Sequence, residues 1–249
     1  MTDILTIVVM GAIFLAILSA FSLGLFMTIK ALQTEYYDII YYGIGIFCMG
    51  LLYIFELSGL RFFQETVKVI GLFFFLIFCK KSFYNEKSPT VFTLLYIYHF
   101  ILLFINPILS LNYDRFAIII NLFFGSSLMF IFLLISIGAW VDYKKIKVLN
   151  VEPFLKIRYL LVSMASFLFI ITGSSIIIGH IFRKYGSDNI YNVTELITIF
   201  SALLASIVFY LAFVGPKKFR KIFNRTYKSI DIDYNGFIEQ EIIGDLLDK

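Results

Sequence analysis

Seven long apolar segments constrain this chain more than any other feature of its sequence. They lie at about residues 4–29, 39–55, 62–79, 89–111, 116–141, 159–182 and 194–215. A helix needs about 20 apolar residues to cross the roughly 30 Å hydrocarbon core of a bilayer. Because 60% of the residues are hydrophobic and only 15% are charged, a soluble core could not bury these segments. The sequence therefore predicts an all-α bundle of seven membrane-spanning helices.

The distribution of lysine and arginine predicts how this multi-pass protein is oriented in the cell membrane. With the N-terminus outside, 16 of the 21 basic residues fall on the cytoplasmic side. The five on the outer side are Arg61, Lys68, Arg115, Arg183 and Lys184. Basic residues stay preferentially on the cytoplasmic face during insertion, so we expect the N-terminus outside and the C-terminus inside. The first segment shows no basic leader and no cleavage pattern, and we expect it to be a permanent span.

The residues that membrane enzymes and opsins require are missing from the sequence. Two histidines are too few for histidine-box chemistry, and there is no HExxH pattern or carboxylate cluster of an intramembrane protease. Retinal-binding opsins need a lysine within the seventh helix, and none occurs between Lys184 and Lys217. The excess of basic residues reflects the orientation of the protein in the membrane and does not indicate nucleic-acid binding. We expect no enzymatic activity, no cofactor, no metal site and no nucleic-acid partner.

Polar and small residues recur at helical spacing inside three of the predicted spans. They are Tyr96, His99, Asn106 and Ser110 in span four, Ser163, Ser166, Gly173 and His180 in span six, and Thr194, Thr198 and Ser201 in span seven. Such faces are typical of close packing between membrane helices. The alternative is a cavity in the outer half of the bundle. Its candidate ligand-binding residues are His99, Asn106, Asn121, His180, Thr198 and Ser201, with Thr172 and Ser175 on a neighbouring face.

Span three is the weakest of the seven, because only residues 69–79 form an uninterrupted apolar run. Eleven residues make about 17 Å of helix, which cannot cross the bilayer. The helix must therefore run inward past Lys80 and Lys81, or begin near Phe62 and take charged residues into its outer half. We expect both extensions.

Glu65 and Lys68 are the charged residues that the outward extension would carry into the membrane. They are three apart, so they share a helix surface and can neutralise each other. One interpretation is a solvated ion pair at the membrane interface. The other is the entrance for a ligand or ion, close to His180 and Glu195, which makes Glu65 and Lys68 further candidate ligand-binding residues.

The end of span seven reads LAFVGPKKFRKIFNR, an apolar helix end, a Gly-Pro break and a basic-aromatic run. It resembles the close of the seven-helix sensory modules at the N-terminus of bacterial and archaeal histidine kinases. It is also similar to the short helix that follows the seventh span of G-protein-coupled receptors. The chain departs from the kinase pattern, because 24 residues follow Arg225 and include no kinase domain. The resemblance implies that any output comes from a separate cytoplasmic signalling protein.

The basic segment and the tail divide the chain after the bundle into two further regions. The seven-helix domain covers residues 1–216, a basic juxtamembrane helix covers 217–228 and an acidic cytoplasmic tail covers 229–249. We expect the basic helix to lie in the membrane plane against anionic lipid. The residues predicted to contact the membrane surface are Lys217, Lys218, Phe219, Arg220, Lys221 and Phe223. In the tail, Ile242 stands where a calcium-binding loop needs glutamate, so we expect a turn and a short helix.

These observations favour a receptor-like or sensory membrane module that couples an outward-facing pocket to a cytoplasmic partner. The alternative is a transporter or channel for a small solute. Transporters commonly show matching helix breaks in two halves, whereas the spans here contain one such break, Asn106-Pro107. A continuous polar passage would favour transport, and a closed cytoplasmic half below a pocket would favour sensing.

Overall fold

The computed structural model describes residues 2–33, 37–85, 88–149, 151–213, 215 and 217–224, and these form an all-helical bundle. The acidic tail at 229–249 lies outside the described residues. The helices are α1 (Thr2–Gln33), α2 (Tyr37–Leu57), α3 (Arg61–Cys79), α4 (Pro89–Ser110), α5 (Tyr113–Lys147), α6 (Pro153–Lys184), α7 (Asp188–Phe213) and α8 (Lys217–Phe223). Each of α1 to α7 is long and apolar enough to span a membrane, which confirms the predicted seven-helix fold class.

Six of these helices form a ring that closes on itself. Successive helices from α1 to α3 and from α5 to α7 pack against each other, α3 contacts α5 directly, and α7 returns to α1. Helix α4 packs against α3 and α5 from outside the ring, and much of its apolar surface is exposed. We call the end with the α2–α3, α4–α5 and α6–α7 connections the N-terminal end, and the opposite end the C-terminal end.

Helix α3 shows both of the extensions expected for the weakest span. It begins at Arg61, so that Gln64, Glu65 and Lys68 lie inside the bundle. Beyond Cys79 it continues as a π-helical turn over Lys80–Tyr84. The interpretation of Glu65 and Lys68 as a solvated interfacial pair is wrong, because both side chains are buried.

Glycines bring neighbouring helices into backbone contact at two places. A Cβ atom built on Gly173 of α6 would lie 2.7 Å from the carbonyl oxygen of Gly125 on α5. A Cβ atom on Gly24 of α1 would lie 2.8 Å from the carbonyl oxygen of Gly43 on α2. Small residues at such crossings let membrane helices approach closely, where dispersion contacts provide the association energy. The α1–α2 and α5–α6 pairs are therefore fixed by backbone proximity.

Replacing Gly173 by Ala is expected to lower the free energy of unfolding by about 1–3 kcal/mol, because the added methyl group overlaps the backbone of α5. Unfolding of the purified chain in mixed micelles, titrated with sodium dodecyl sulfate, measures the change. Gly11→Ala is the matched control, since a Cβ atom at Gly11 has nothing within 4 Å. Equal stability of the two variants would show that the α5–α6 contact is not close in solution.

A layer of aromatic side chains fills the half of the bundle nearer the C-terminal end. The layer consists of Tyr42, Phe75, Phe78, Phe132, Phe169 and Phe209, contributed by α2, α3, α5, α6 and α7. The Phe132 and Phe169 rings stack with centroids 4.2 Å apart, and the Tyr42 and Phe209 centroids are 4.4 Å apart. Five of the six side chains have no solvent exposure and Phe169 is 5% exposed. We call this group the aromatic layer.

A sharp turn at Gly215 separates α7 from the short basic helix α8. Gly215 has a φ of +45°, in the left-handed region, and a Cβ atom there would lie 2.5 Å from the Phe154 ring of α6. Phe219 of α8 packs edge-on against Phe154, with centroids 6.0 Å apart. Asn224 accepts a hydrogen bond from the Phe154 N–H at 3.0 Å and donates one to the Glu152 carboxylate. Helix α8 is thus docked on the start of α6 and does not continue the axis of α7.

Candidate functional site

A cavity of about 140 Å³ lies inside the ring, in the half nearer the N-terminal end. Its wall comes from α1, α2, α3, α5, α6 and α7, and it reaches from Tyr113, the first residue of α5, down to Leu128. Fifteen residues of helix correspond to a depth of about 22 Å. The volume is roughly that of ten waters at about 10–15 Å³ each, which is enough for a small organic molecule.

The floor of the cavity is the upper surface of the aromatic layer. Phe75 and Phe169 belong to both, and Phe124 and Leu128 complete the apolar floor from α5. Phe75 also packs on Gly45, where even a Cβ atom would lie 2.6 Å from the ring. Because these side chains are close-packed and lack polar atoms, the floor of the cavity is apolar.

Uncharged polar side chains on α5, α6 and α7 line one side of the cavity. Asn121 donates hydrogen bonds to the Tyr113 hydroxyl at 3.0 Å and to the Ala117 carbonyl at 2.8 Å. Thr172 of α6 hydrogen-bonds the Ser201 hydroxyl of α7 at 2.8 Å. Thr198 donates to the Thr194 carbonyl at 2.9 Å. These bonds fix the orientation of the wall and join α6 to α7 at mid-depth.

The Glu65–Lys68 ion pair lies on α3, next to α5. The Lys68 ammonium donates to the Glu65 Oε1 at 2.7 Å, and its nitrogen lies 5.2 Å from the centre of the Phe124 ring. Glu65 is 0% exposed and Lys68 is 5% exposed. Two charges taken out of water remain ionised at tolerable energy only when they are paired. Lys68 faces the cavity and Glu65 stands behind it as the counter-ion.

Charged and tyrosine side chains surround the mouth of the cavity, at the N-terminal end of the bundle. Glu56 of α2 and Glu195 of α7 line it, as do Tyr53, Tyr113 and Tyr191. Two arginines lie over tyrosine rings at the same end: the Arg61 guanidinium is 4.0 Å from the Tyr113 centroid and the Arg183 guanidinium is 4.7 Å from that of Tyr191. Arginine over a ring face gains a cation–π attraction of about 0.5–1 kcal/mol at exposed positions. The mouth is therefore ordered by contacts between side chains of different helices.

The structure brings together four of the eight predicted ligand-binding residues. Lys68, Asn121, His180 and Thr198 line the cavity, together with the further candidates Thr172 and Ser175. These six residues line the cavity in the structure, and their contact with a ligand stays a prediction.

The other four candidates are placed elsewhere, which corrects the expectation that they line the cavity. His99 and Asn106 are buried, but they lie on α4, outside the ring. The His99 Nδ1 is 2.8 Å from the Leu95 carbonyl of its own helix. Ser201 lies behind the wall as the partner of Thr172, and Glu65 lies behind Lys68. The polar face of α4 thus packs against α3 and α5.

The tyrosines of the wall were not predicted from the sequence. Tyr53 precedes Glu56 by three residues on α2, and Tyr191 precedes Glu195 by four on α7. Both spacings place a tyrosine beside a carboxylate on one helix face. The tyrosine–glutamate pair occurs at the same end of two spans, and this repeat could have indicated the wall tyrosines from the sequence.

The basic helix α8 covers residues Lys217–Phe223, seven of the residues predicted for it. Phe219 and Phe223 are half-buried and their ring centroids are 5.0 Å apart, whereas Ile222 is 67% exposed. The Arg220 guanidinium lies 5.0 Å from the centre of the Phe154 ring. Arg220 and Lys221 are exposed at the C-terminal end of the bundle, and their contact with lipid stays a prediction.

Comparisons with known proteins give no match: no protein-family model, curated protein sequence or solved structure is significantly similar to this chain. The fold and the cavity define the class as a seven-helix multi-pass membrane protein with an internal cavity. Its function therefore has to be inferred from the site itself.

Proposed function

We propose that this membrane protein is a receptor-like sensory module that binds a small molecule in its cavity and acts on a separate cytoplasmic protein. One observation carries the proposal: the cavity lies in the half of the bundle nearer the N-terminal end, and the buried aromatic layer lies below it. With the N-terminus outside, as the basic residues predict, the cavity faces the exterior. A pocket with one opening holds a ligand without conducting it.

Helices α6 and α7 provide the connection from the cavity to the cytoplasmic surface. Both line the cavity, where Thr172 and Ser201 join them. At the other end, α6 begins at Pro153, and its next residue, Phe154, contacts Phe219, Arg220 and Asn224 around α8. A ligand that shifts α6 relative to α7 would move the base on which α8 rests. This contact is the physical basis for coupling that the proposal requires.

The exposed surface of α8 fits an output role. Arg220 and Lys221 present positive charge beside the exposed Ile222. Such a surface can rest on an anionic inner leaflet, where each basic residue contributes about 1 kcal/mol. A conformational change that lifts α8 from the lipid would expose it to a signalling protein.

A small-solute transporter is the second candidate, and the buried charges favour it. Lys68 and Glu65 lie within a membrane-spanning helix, and such residues commonly mark ion or substrate pathways. Transport would require the aromatic layer to open, so that the cavity becomes accessible from the C-terminal end. Sensing requires no such state.

Cysteine labelling in sealed vesicles separates the two functions. Thr198→Cys places a thiol in the cavity wall, and the wild-type chain controls for its own Cys48 and Cys79, which are buried. Tyr185→Cys, 77% exposed, marks the N-terminal end, and Val148→Cys, 84% exposed, marks the C-terminal end. The reagent is a membrane-impermeant cationic methanethiosulfonate applied to right-side-out and inside-out vesicles.

A sensory module is expected to show Thr198→Cys labelled only from the side that labels Tyr185→Cys. Labelling of Thr198→Cys from the side that labels Val148→Cys as well would demonstrate alternating access. That result would overturn the sensory proposal in favour of transport.

A further inference from the structure

Two carboxylates line the mouth of the cavity, Glu56 of α2 and Glu195 of α7. Among the described residues neither forms an ion pair within 4 Å, although Arg183 interacts with Glu195 at longer range. The two carboxylates project from α2 and α7 into the same space and interact electrostatically with each other. Tyr53 lies close enough to interact with both. The mouth therefore offers two carboxylates to a molecule that enters, beside Arg61 and Arg183, which do not line the cavity.

Gln64 independently indicates that the cavity suits a ligand with a hydrogen-bond donor. It lines the cavity, it is only 2% exposed, and its Oε1 accepts no hydrogen bond from the protein. A buried acceptor left without a donor costs about 1–3 kcal/mol, so a ligand that supplies the donor recovers this energy. The unpaired atom is an oxygen and therefore a hydrogen-bond acceptor, as are the carboxylate oxygens of the two glutamates.

Lys68 does not reverse this preference. Among the described residues that line the cavity it is the only lysine or arginine, and Glu65 already neutralises it at 2.7 Å. Arg61 and Arg183 already lie over the Tyr113 and Tyr191 rings and do not line the cavity, so the other charged groups of the wall are the carboxylates of Glu56 and Glu195. Below it, Phe75, Phe124 and Phe169 offer an apolar floor without polar partners.

We propose that the cavity binds a small primary ammonium compound with an apolar body of about ten non-hydrogen atoms. This inference rests on the proposed function and names the ligand class for the same site. The ammonium group has three donors, which suit Glu56, Glu195 and the Gln64 Oε1. The apolar body occupies the floor above the aromatic layer. Its size follows from the cavity volume of about 140 Å³, at about one non-hydrogen atom per water-sized space.

Three compounds of similar shape test the charge preference directly. They are 2-phenylethylammonium, the neutral 2-phenylethanol and the anionic 3-phenylpropanoate. Calorimetric titration of the purified full chain in lipid nanodiscs is expected to show one binding site for the ammonium compound and affinity at least about tenfold lower for the other two, since hydrogen bonds to charged groups contribute about 1.5–3 kcal/mol. Equal affinities, or preference for the anion, would overturn the proposal.

Single substitutions locate the binding. Glu195→Gln and Glu56→Gln keep the side-chain shape, and each is expected to raise Kd for 2-phenylethylammonium about tenfold. Glu56 is exposed, so its variant folds even if Glu195→Gln does not. Asp114→Asn is the matched control, because Asp114 is an exposed carboxylate at the same end that does not line the cavity. Affinity unchanged in both glutamate variants would refute the assignment.

The labelling assay separates this inference from the proposed function. Bound 2-phenylethylammonium is expected to protect Thr198→Cys from the thiol reagent. Labelling from one side without protection would leave the sensory function in place and overturn the ammonium ligand. Labelling from both sides with protection would support the ligand class and overturn the sensory function.

Discussion

Replacing Lys68 by Met is expected to destabilise the bundle by about 3–5 kcal/mol, the largest effect of any substitution of a single charged side chain considered for this protein. The variant leaves the Glu65 carboxylate with no exposure and no cation, and Glu65 Oε2 already lacks a hydrogen-bond donor. In water such a carboxylate would recover solvation, but inside the bundle it cannot. Glu65→Gln is expected to be damaging as well, because it leaves the Lys68 ammonium unpaired.

The double variant Glu65→Gln with Lys68→Met is expected to recover much of the loss, because it removes both charges together. The coupling energy from this cycle, measured by unfolding in mixed micelles, tests whether the two residues act as one buried unit. Lys184→Met is the matched control, since Lys184 is exposed at the same end of the bundle. Equal and small effects in all three variants would show that water reaches the pair and that it is not buried.

The seven spans could be predicted because length and apolarity are local properties of each segment. What the sequence did not define was how far the helices extend beyond the membrane. Helix α5 ends at Lys147, well past the predicted residue 141, and α6 begins at Pro153. These extensions are polar, and they pair with each other through Ile146 and Leu155, a tertiary contact that hydropathy cannot reveal.

The candidate site shows the same division between local and tertiary information. Polar spacing on α6 and α7 correctly indicated His180 and Thr198 as residues of an internal wall. The same spacing on α4 indicated His99 and Asn106, which face α3 and α5 instead. Periodicity tells which residues share a helix face, but it does not tell whether that face meets a cavity or a neighbouring helix. The position of α4 outside the ring decides this.

The aromatic layer was not predicted either, for a physical reason. In a chain with 30 phenylalanines, no sequence pattern distinguishes a ring that meets other rings from one that meets lipid. Phe132 and Phe104 illustrate the point: the first is 0% exposed and the second is 57% exposed, although both lie in equally apolar surroundings along the chain.

That contrast gives a second prediction of large effect. Phe132→Ala is expected to lower the free energy of unfolding by about 2–3 kcal/mol, since removing roughly 100 Å³ of ring from a close-packed site costs about 24 cal/mol per Å³ of remaining cavity. The stacking partner Phe169, at 4.2 Å, and the edge-to-face partner Phe75, at 5.1 Å, both lose contacts. Transfer from water adds little, because the unfolded span still lies in lipid.

Phe104→Ala provides the matched control, because it deletes the same ring from the lipid-facing side of α4. Lipid chains fill the space left there, so its expected change in unfolding free energy is below about 1 kcal/mol. Unfolding in mixed micelles compares the two variants under one condition. If both lost the same stability, the rings of the aromatic layer would be packed no more tightly than rings in lipid. The bundle would then have no closed half below the cavity, which the sensory function requires.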